Sequence, residues 1–202
     1  LNPETGKKLW EYPWDIQSSL TAPTPRLVGK DQLFLTSFYN GSVLLKIGGE
    51  KPEVVWKSKS KGGQAAVMPA NTVDLHSIMT TPFIIGEHIY GVCSYGELRC
   101  LELQTGKRVW ETHAPTSGKS MRWGHAFIIQ NGERFFLFNE QGELLIAKFS
   151  PKGYEEISRA KILEPTNKMA FGRPVVWVHP AFANGVMYVR NDQEIVAVSL
   201  KK

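Results

Sequence analysis

The segment Thr105-Gly106-Lys107-Arg108-Val109-Trp110-Glu111 restates Thr5-Gly6-Lys7-Lys8-Leu9-Trp10-Glu11, one hundred residues earlier in the chain. A weaker copy, Glu53-Val54-Val55-Trp56-Lys57, lies between them. Such internal repetition is read before anything else, because it points to a structural unit that recurs. Ahead of Thr105 stands a hairpin. His88-Ile89-Tyr90-Gly91-Val92-Cys93 runs into Ser94-Tyr95-Gly96 and returns as Glu97-Leu98-Arg99-Cys100-Leu101-Glu102-Leu103. The returning arm alternates apolar and polar residues, the period of a half-buried strand.

The same plan recurs around three further turns. Gln32–Thr36 leads to Asn40-Gly41, Arg134–Phe138 to Gln141-Gly142, and Val186–Val189 to Asn191-Asp192-Gln193. Glycine or asparagine supplies the positive φ that tight hairpin turns demand. Turn positions Gly41, Gly96, Gly142 and Gln193 are spaced by 55, 46 and 51 residues. An earlier strand opens each unit, near Thr24–Gly29, Thr81–Gly86, His125–Ile129 and His179–Phe182. Each unit therefore reads as strands A, B, C and D, with the Trp motif on D. Four antiparallel strands at that period predict an all-β fold, a β-propeller, in which radial repetition protects the sheet edges.

Boundaries follow from the plan. Residues 1–20 hold a lone strand D at 7–12 and a linker. Blades are expected over 21–60, 78–115 and 123–163, with their own D strands at 53–58, 108–113 and 155–162. Strands A to C of a final blade occupy 177–202. That makes about four blades: three complete ones, plus terminal strands split between the two ends. The chain opens in mid-motif at Leu1-Asn2-Pro3, so the reading favours the C-terminal half of a ring of about eight blades. The expected partner is the missing N-terminal half or a second copy of the chain, because an unpaired outer strand is an aggregation hazard.

Composition limits the function. The 202 residues carry a net charge of +5, with 42% hydrophobic and 21% charged residues. Basic residues such as Lys7, Lys8, Lys107 and Arg108 are scattered along the repeats, a solvated surface rather than a nucleic-acid footprint. No apolar run reaches the roughly 20 residues of a membrane helix. Cys93 and Cys100 make no metal-ligand pattern. They read as reduced, half-buried thiols, with a disulfide left open.

Leu101-Glu102-Leu103-Gln104-Thr105-Gly106-Lys107-Arg108-Val109-Trp110 resembles the tryptophan-docking repeat of pyrroloquinoline-quinone (PQQ)-type propellers, and Asn2–Trp10 resembles a second copy. The resemblance implies structural roles for Thr5, Gly6, Trp10, Trp56, Thr105, Gly106 and Trp110: the indole packs between blades and the Thr-Gly turn closes the outer hairpin. It also implies export, to the periplasm or outside the cell. The family's dehydrogenases hold PQQ over calcium with an Asp base and often a vicinal Cys pair. This sequence has no adjacent Cys pair, no Asp-x-Asn-x-Asp loop, no Gly-x-Ser-x-Gly elbow and no His-Glu-x-x-His. The expected function is a non-catalytic scaffold without a cofactor, binding a protein or glycan-like ligand. The alternative is part of a quinoprotein dehydrogenase whose PQQ and calcium ligands lie outside this chain.

One constellation points to a site. His125 and His179 open strand A in consecutive units, and Trp123 and Trp177 each stand two residues before them. If strand A is innermost, two imidazoles and two indoles converge on one mouth. Imidazole can donate, accept or act as a base, and an indole offers a stacking face. The competing reading is that the indoles plug gaps between blades and the imidazoles satisfy backbone groups. Long D-to-A connections at 58–78, 114–123 and 164–178 add Arg122, Lys168, Met169, Phe171 and Arg173 to the same face. Long loops on a rigid scaffold are where function concentrates.

Overall fold

A computed structural model describes residues 1–170 and 172–201; the expected site-loop residue Phe171 lies outside the described residues. The chain is all-β. The first sheet contains β1 (Arg26–Val28), β2 (Gln32–Ser37), β3 (Gly41–Lys46) and β4 (Glu53–Lys57) in sequential order. The second contains β5 (Phe83–Ile85), β6 (His88–Val92), β7 (Leu98–Glu102) and β8 (Arg108–Thr112). In the third, β9 (Ala126–Asn131), β10 (Arg134–Asn139), β11 (Glu143–Ser150) and β12 (Gly153–Lys161) pair in turn. A small hairpin follows, β13 (Asn167–Ala170) with β14 (Arg173–Val175). The last sheet has three strands, β15 (Ala181–Ala183), β16 (Val186–Arg190) and β17 (Ile195–Ser199). These are the four-stranded antiparallel meanders of propeller blades, the last of them incomplete.

The Gly turns have a steric cause. Gly41 and Gly142 adopt φ of +71° and +77°. A Cβ at Gly142 would fall 2.0 Å from the Leu163 carbonyl oxygen, and one at Gly41 would fall 2.3 Å from the Ser58 hydroxyl. Only glycine fits either place. Both sheets also bulge where strand D joins strand C, at Leu44/Leu45 and at Ile146/Ala147. A bulge bends the outer strand and re-aims its side chains.

Two compact units divide the chain: Leu1–Ser94 with Arg99–Val109, and Tyr95–Leu98 with Trp110–Lys202. In the first, Phe34, Leu44, Leu75, Ile89, Cys93, Leu101 and Leu103 form a buried cluster, with Trp56 packed against it. In the second, Phe138, Leu144, Leu163, Val176, Met187 and Val189 do the same. Burying each such aliphatic or aromatic side chain contributes about 1.5–3 kcal/mol.

Two of the motif indoles bond to a neighbouring sheet. Trp56 Nε1 donates to the Leu103 carbonyl at 2.8 Å, and its ring lies against Gly106, where a Cβ would be 2.7 Å from the indole. Trp110 Nε1 donates to the Ser150 carbonyl at 2.9 Å. Each indole thus reaches the turn between strands C and D of the following sheet.

Residues 7–12 correct the expectation of a strand: they form none. The motif's turn is nonetheless complete. Asn2 N–H donates to the Lys7 carbonyl at 2.8 Å and Gly6 N–H to the Asn2 carbonyl at 2.9 Å. Glu102 to Lys107 and Gly106 to Glu102 repeat these bonds at the same lengths, and Gly6 and Gly106 share φ of +68° and +69°. Local chemistry makes the turn. A strand additionally needs a neighbour to ladder against, and none lies beside 7–12 among the described residues. Trp10 is half-buried there and Leu9 is 60% exposed. The two cysteines are free and fully buried rather than half-buried.

Candidate functional site

Three of the predicted residues, Arg173, Trp177 and His125, gather around one carboxylate that sequence reading missed. Glu140 sits in the β10–β11 turn and is 2% exposed. Arg173, at the start of β14, grips it with two nitrogens: Nε donates to Oε1 at 3.1 Å and Nη2 to Oε2 at 2.9 Å. Trp177 Nε1 also donates to Oε2, at 3.2 Å. The Glu140 backbone closes the cluster, its N–H donating to the His125 carbonyl at 3.3 Å and its carbonyl accepting from Val176 N–H at 2.8 Å. Arg173 Nη2 reaches the Arg122 carbonyl at 3.0 Å as well. One ion pair therefore ties together the loop before β9, the β10–β11 turn and β14.

His125 is 1% exposed, so it does not line an open mouth. Its Nδ1 stands 3.7 Å from Glu140 Oε2, an ion-pair distance too long for a hydrogen bond, and neither ring nitrogen has a hydrogen-bond partner among the described residues. His179 is exposed, and its Nδ1 lies 2.7 Å from the Pro180 carbonyl, the backbone contact of the competing reading. The two imidazoles do not meet; Phe127 lies between them, its ring centroid 5.0 Å from His125 and 4.9 Å from His179. The indoles do meet. Trp123 and Trp177 pack edge to face at 6.2 Å, with the Arg122 guanidinium 5.1 Å from the Trp123 ring centroid. His125 contacts Trp177 edge to face at 5.8 Å.

Trp123 adopts φ of +63°, left-handed backbone that a bulky aromatic residue rarely takes. Such outliers cost on the order of 1–3 kcal/mol and persist only where surrounding structure enforces them. Here the next residue, Gly124, donates to the Met121 carbonyl at 2.8 Å, closing a tight turn that presents the indole.

Burial pushes the Glu140 carboxyl up, but His125 and Arg173 outweigh it and hold the group below its ordinary range. An ionised carboxylate so engaged is a poor general base. Among the described residues, no three His, Cys, Asp or Glu side chains converge in a way that could hold a metal ion.

A second buried carboxylate–histidine pair lies in the other unit. Asp74 Oδ1 is 3.5 Å from His76 Nε2, and both residues are buried. His76 Nδ1 is 2.9 Å from the Phe38 carbonyl, which can only accept, so Nδ1 carries the proton. The neutral ring then turns a lone pair toward Asp74. The fully buried Arg99 donates to the Asp74 backbone carbonyl, to Cys93 Sγ at 3.0 Å and to Thr72 Oγ1 at 2.9 Å. Burial raises the Asp74 carboxyl to about 6 and lowers His76 to about 4.

All 202 residues match the family model described as outer membrane protein assembly factor BamB. The chain belongs to this family. Among solved structures, BamB from Moraxella catarrhalis superposes with a TM-score of 0.54 at 16% identity, covering 87% of this chain and 41% of that one. The computationally designed Ika4 protein gives 0.57 at 10% identity, covering 97% and 99%. A quinohemoprotein alcohol dehydrogenase, ADHIIG of Pseudomonas putida HK5, gives 0.54 at 14% identity, covering 95% and 34%. At these identities the likenesses establish the propeller fold, and the chain spans less than half of the BamB structure. No curated protein matches. No helix of the described residues is long and apolar enough to cross a membrane.

Proposed function

We propose that this BamB-family chain is a non-catalytic propeller scaffold, periplasmic or secreted, that binds a protein or glycan-like ligand through the loops around Trp123 and Trp177. The observation that carries the reading is Trp123. A strained backbone holds its half-buried indole against a second indole, above a carboxylate already committed to Arg173. Such an arrangement offers stacking faces and a cation, from Arg122. The family's description as an outer membrane protein assembly factor favours a protein ligand over a glycan.

The incomplete last sheet supports a second contact, with further propeller strands or another copy of the chain. β17 has no outer neighbour in its sheet, and Ile195 is 76% exposed. An open edge of that kind is a template for a fourth strand.

Indole resonances of the ¹⁵N-labelled chain test the ligand site. An amphipathic β-strand peptide or a chito-oligosaccharide series should shift the Trp123 and Trp177 signals saturably, and Trp123→Ala should abolish the effect. Saturable binding of PQQ with calcium, lost in His125→Ala, would sink the non-catalytic reading.

A further inference from the structure

A cavity of about 490 Å³ lies in the first unit, and none of the Glu140-site residues lines it. Its wall joins β4 to the turn before β8. Four basic residues line it: Lys57 and Lys59 from one side, Lys107 and Arg108 from the other. Asp74 is its one acidic lining residue, and Asp74 is 5% exposed with Arg99 interacting with its charge. Lys59 and Lys107 make no ion pair among the described residues, and the Lys57 ammonium lies 6.0 Å from the Tyr12 ring. The basic residues that are scattered in sequence thus converge in space.

Trp56 completes the wall. Its orientation is fixed by the bond to Leu103 and by contact with Gly106, so the indole needs no ordering on binding. Like charges brought together in a concave site repel one another and concentrate counter-ions. A bare oxyanion would use the cations and leave the indole and most of the volume idle. The volume lies in the range of small-ligand sites, roughly 300–1,000 Å³. A pyranose ring presents C–H groups that stack on an indole, and a phosphate on that ring would meet the lysines.

We propose that this cavity binds a small phosphorylated sugar, its ring against Trp56 and its phosphate held by Lys57, Lys59, Lys107 and Arg108. The phosphate can arrive free in solution or on a lipid; the assignment is to the soluble molecule, and binding confined to lipid vesicles would exclude it.

Titration of the intact chain with glucose 6-phosphate, inorganic phosphate and glucose, read on the Trp56 indole resonance, tests the assignment. Glucose 6-phosphate should bind at least about ten-fold tighter than either fragment, and should weaken as salt is raised from about 50 to 500 mM. Lys59→Gln with Lys107→Gln should weaken it at least about ten-fold, while Lys7→Gln with Lys8→Gln, outside the cavity, should leave it unchanged. Both lysines are exposed, and an unaltered indole spectrum will show that the fold persists. Equal affinity for phosphate and the sugar phosphate, equal affinity for glucose, binding only to phosphatidylglycerol vesicles, or no saturation by about 20 mM would each overturn the proposal. A failed Trp123 experiment would leave it standing, because the two sites share no residue.

Discussion

Each unit buries a carboxylate beside a histidine, and the two pairs behave in opposite ways. Glu140 faces Arg173 directly and is held ionised. Asp74 faces a neutral imidazole, and burial outweighs both the Ser58 hydrogen bond and the Arg99 charge that favour its ionised form. Both are buried, so what separates them is whether the neighbouring charges and hydrogen bonds outweigh desolvation. A nearby charge lowers the cost of ionisation; a charge-assisted hydrogen bond can reverse it.

Arg173→Ala should give the largest effect. It strands a buried charge, and such losses run to about 3–5 kcal/mol. We expect about 3 kcal/mol by urea denaturation at pH 7, because Arg173 is partly exposed. Glu140's lowered value makes its contribution present above its ordinary value of 4.5 and lost as pH falls through the folded value. The variant's deficit should therefore shrink in acid; a deficit that is constant from pH 7 to 4 would break the comparison.

Asp74→Asn should act with the opposite sign. The raised carboxyl stabilises the fold fully below 3.8 and loses that contribution as pH rises through about 6. The amide removes this cost and can donate to the His76 lone pair. A gain of up to about 3 kcal/mol at pH 7 is expected from roughly 1.4 kcal/mol per pKa unit. His76, being lowered, contributes stability above 6.5 that is lost as pH falls through about 4. The two slopes oppose each other in the native chain, so Asp74→Asn should uncover a steeper acid loss in chemical denaturation. Destabilisation at pH 7 would show that Asp74 is the required counter-charge of Arg99.

Trp177→Phe keeps the ring but removes one donor to Glu140. Thermal denaturation should report a loss of about 1 kcal/mol. His125→Phe should cost up to about 1 kcal/mol, because it removes the imidazole beside Glu140 but also two buried nitrogens that make no hydrogen bond. No loss at all would show that Arg173 alone holds Glu140 ionised.

The blades were legible because their turns demand residues that leave a mark. Gly41, Gly96 and Gly142 occupy left-handed backbone in crowded places, and the Trp motif recurs where the indole docks. Trp123 and Trp177 could be paired from their equivalent positions. Glu140 could not. In sequence it is one polar residue in Asn139-Glu140-Gln141-Gly142, indistinguishable from a solvated turn, and its partner Arg173 lies 33 residues away in a loop. The basic cavity was hidden for the same reason: Lys59 and Lys107 have no periodic relation. Residues 7–12 show the converse limit, since a correct local motif makes the turn and leaves the strand to a neighbour.

The two docked indoles also set an order of events during synthesis. Trp56 accepts its final position only when Leu103, 47 residues later, is available, and Trp110 waits 40 residues for Ser150. At roughly 5–20 residues per second, each outer strand emerges several seconds before its latch. Each of these first two blades is consequently left with an uncovered indole until the next one arrives, so a ribosome stalled after either would expose one adhesive aromatic at the growing end.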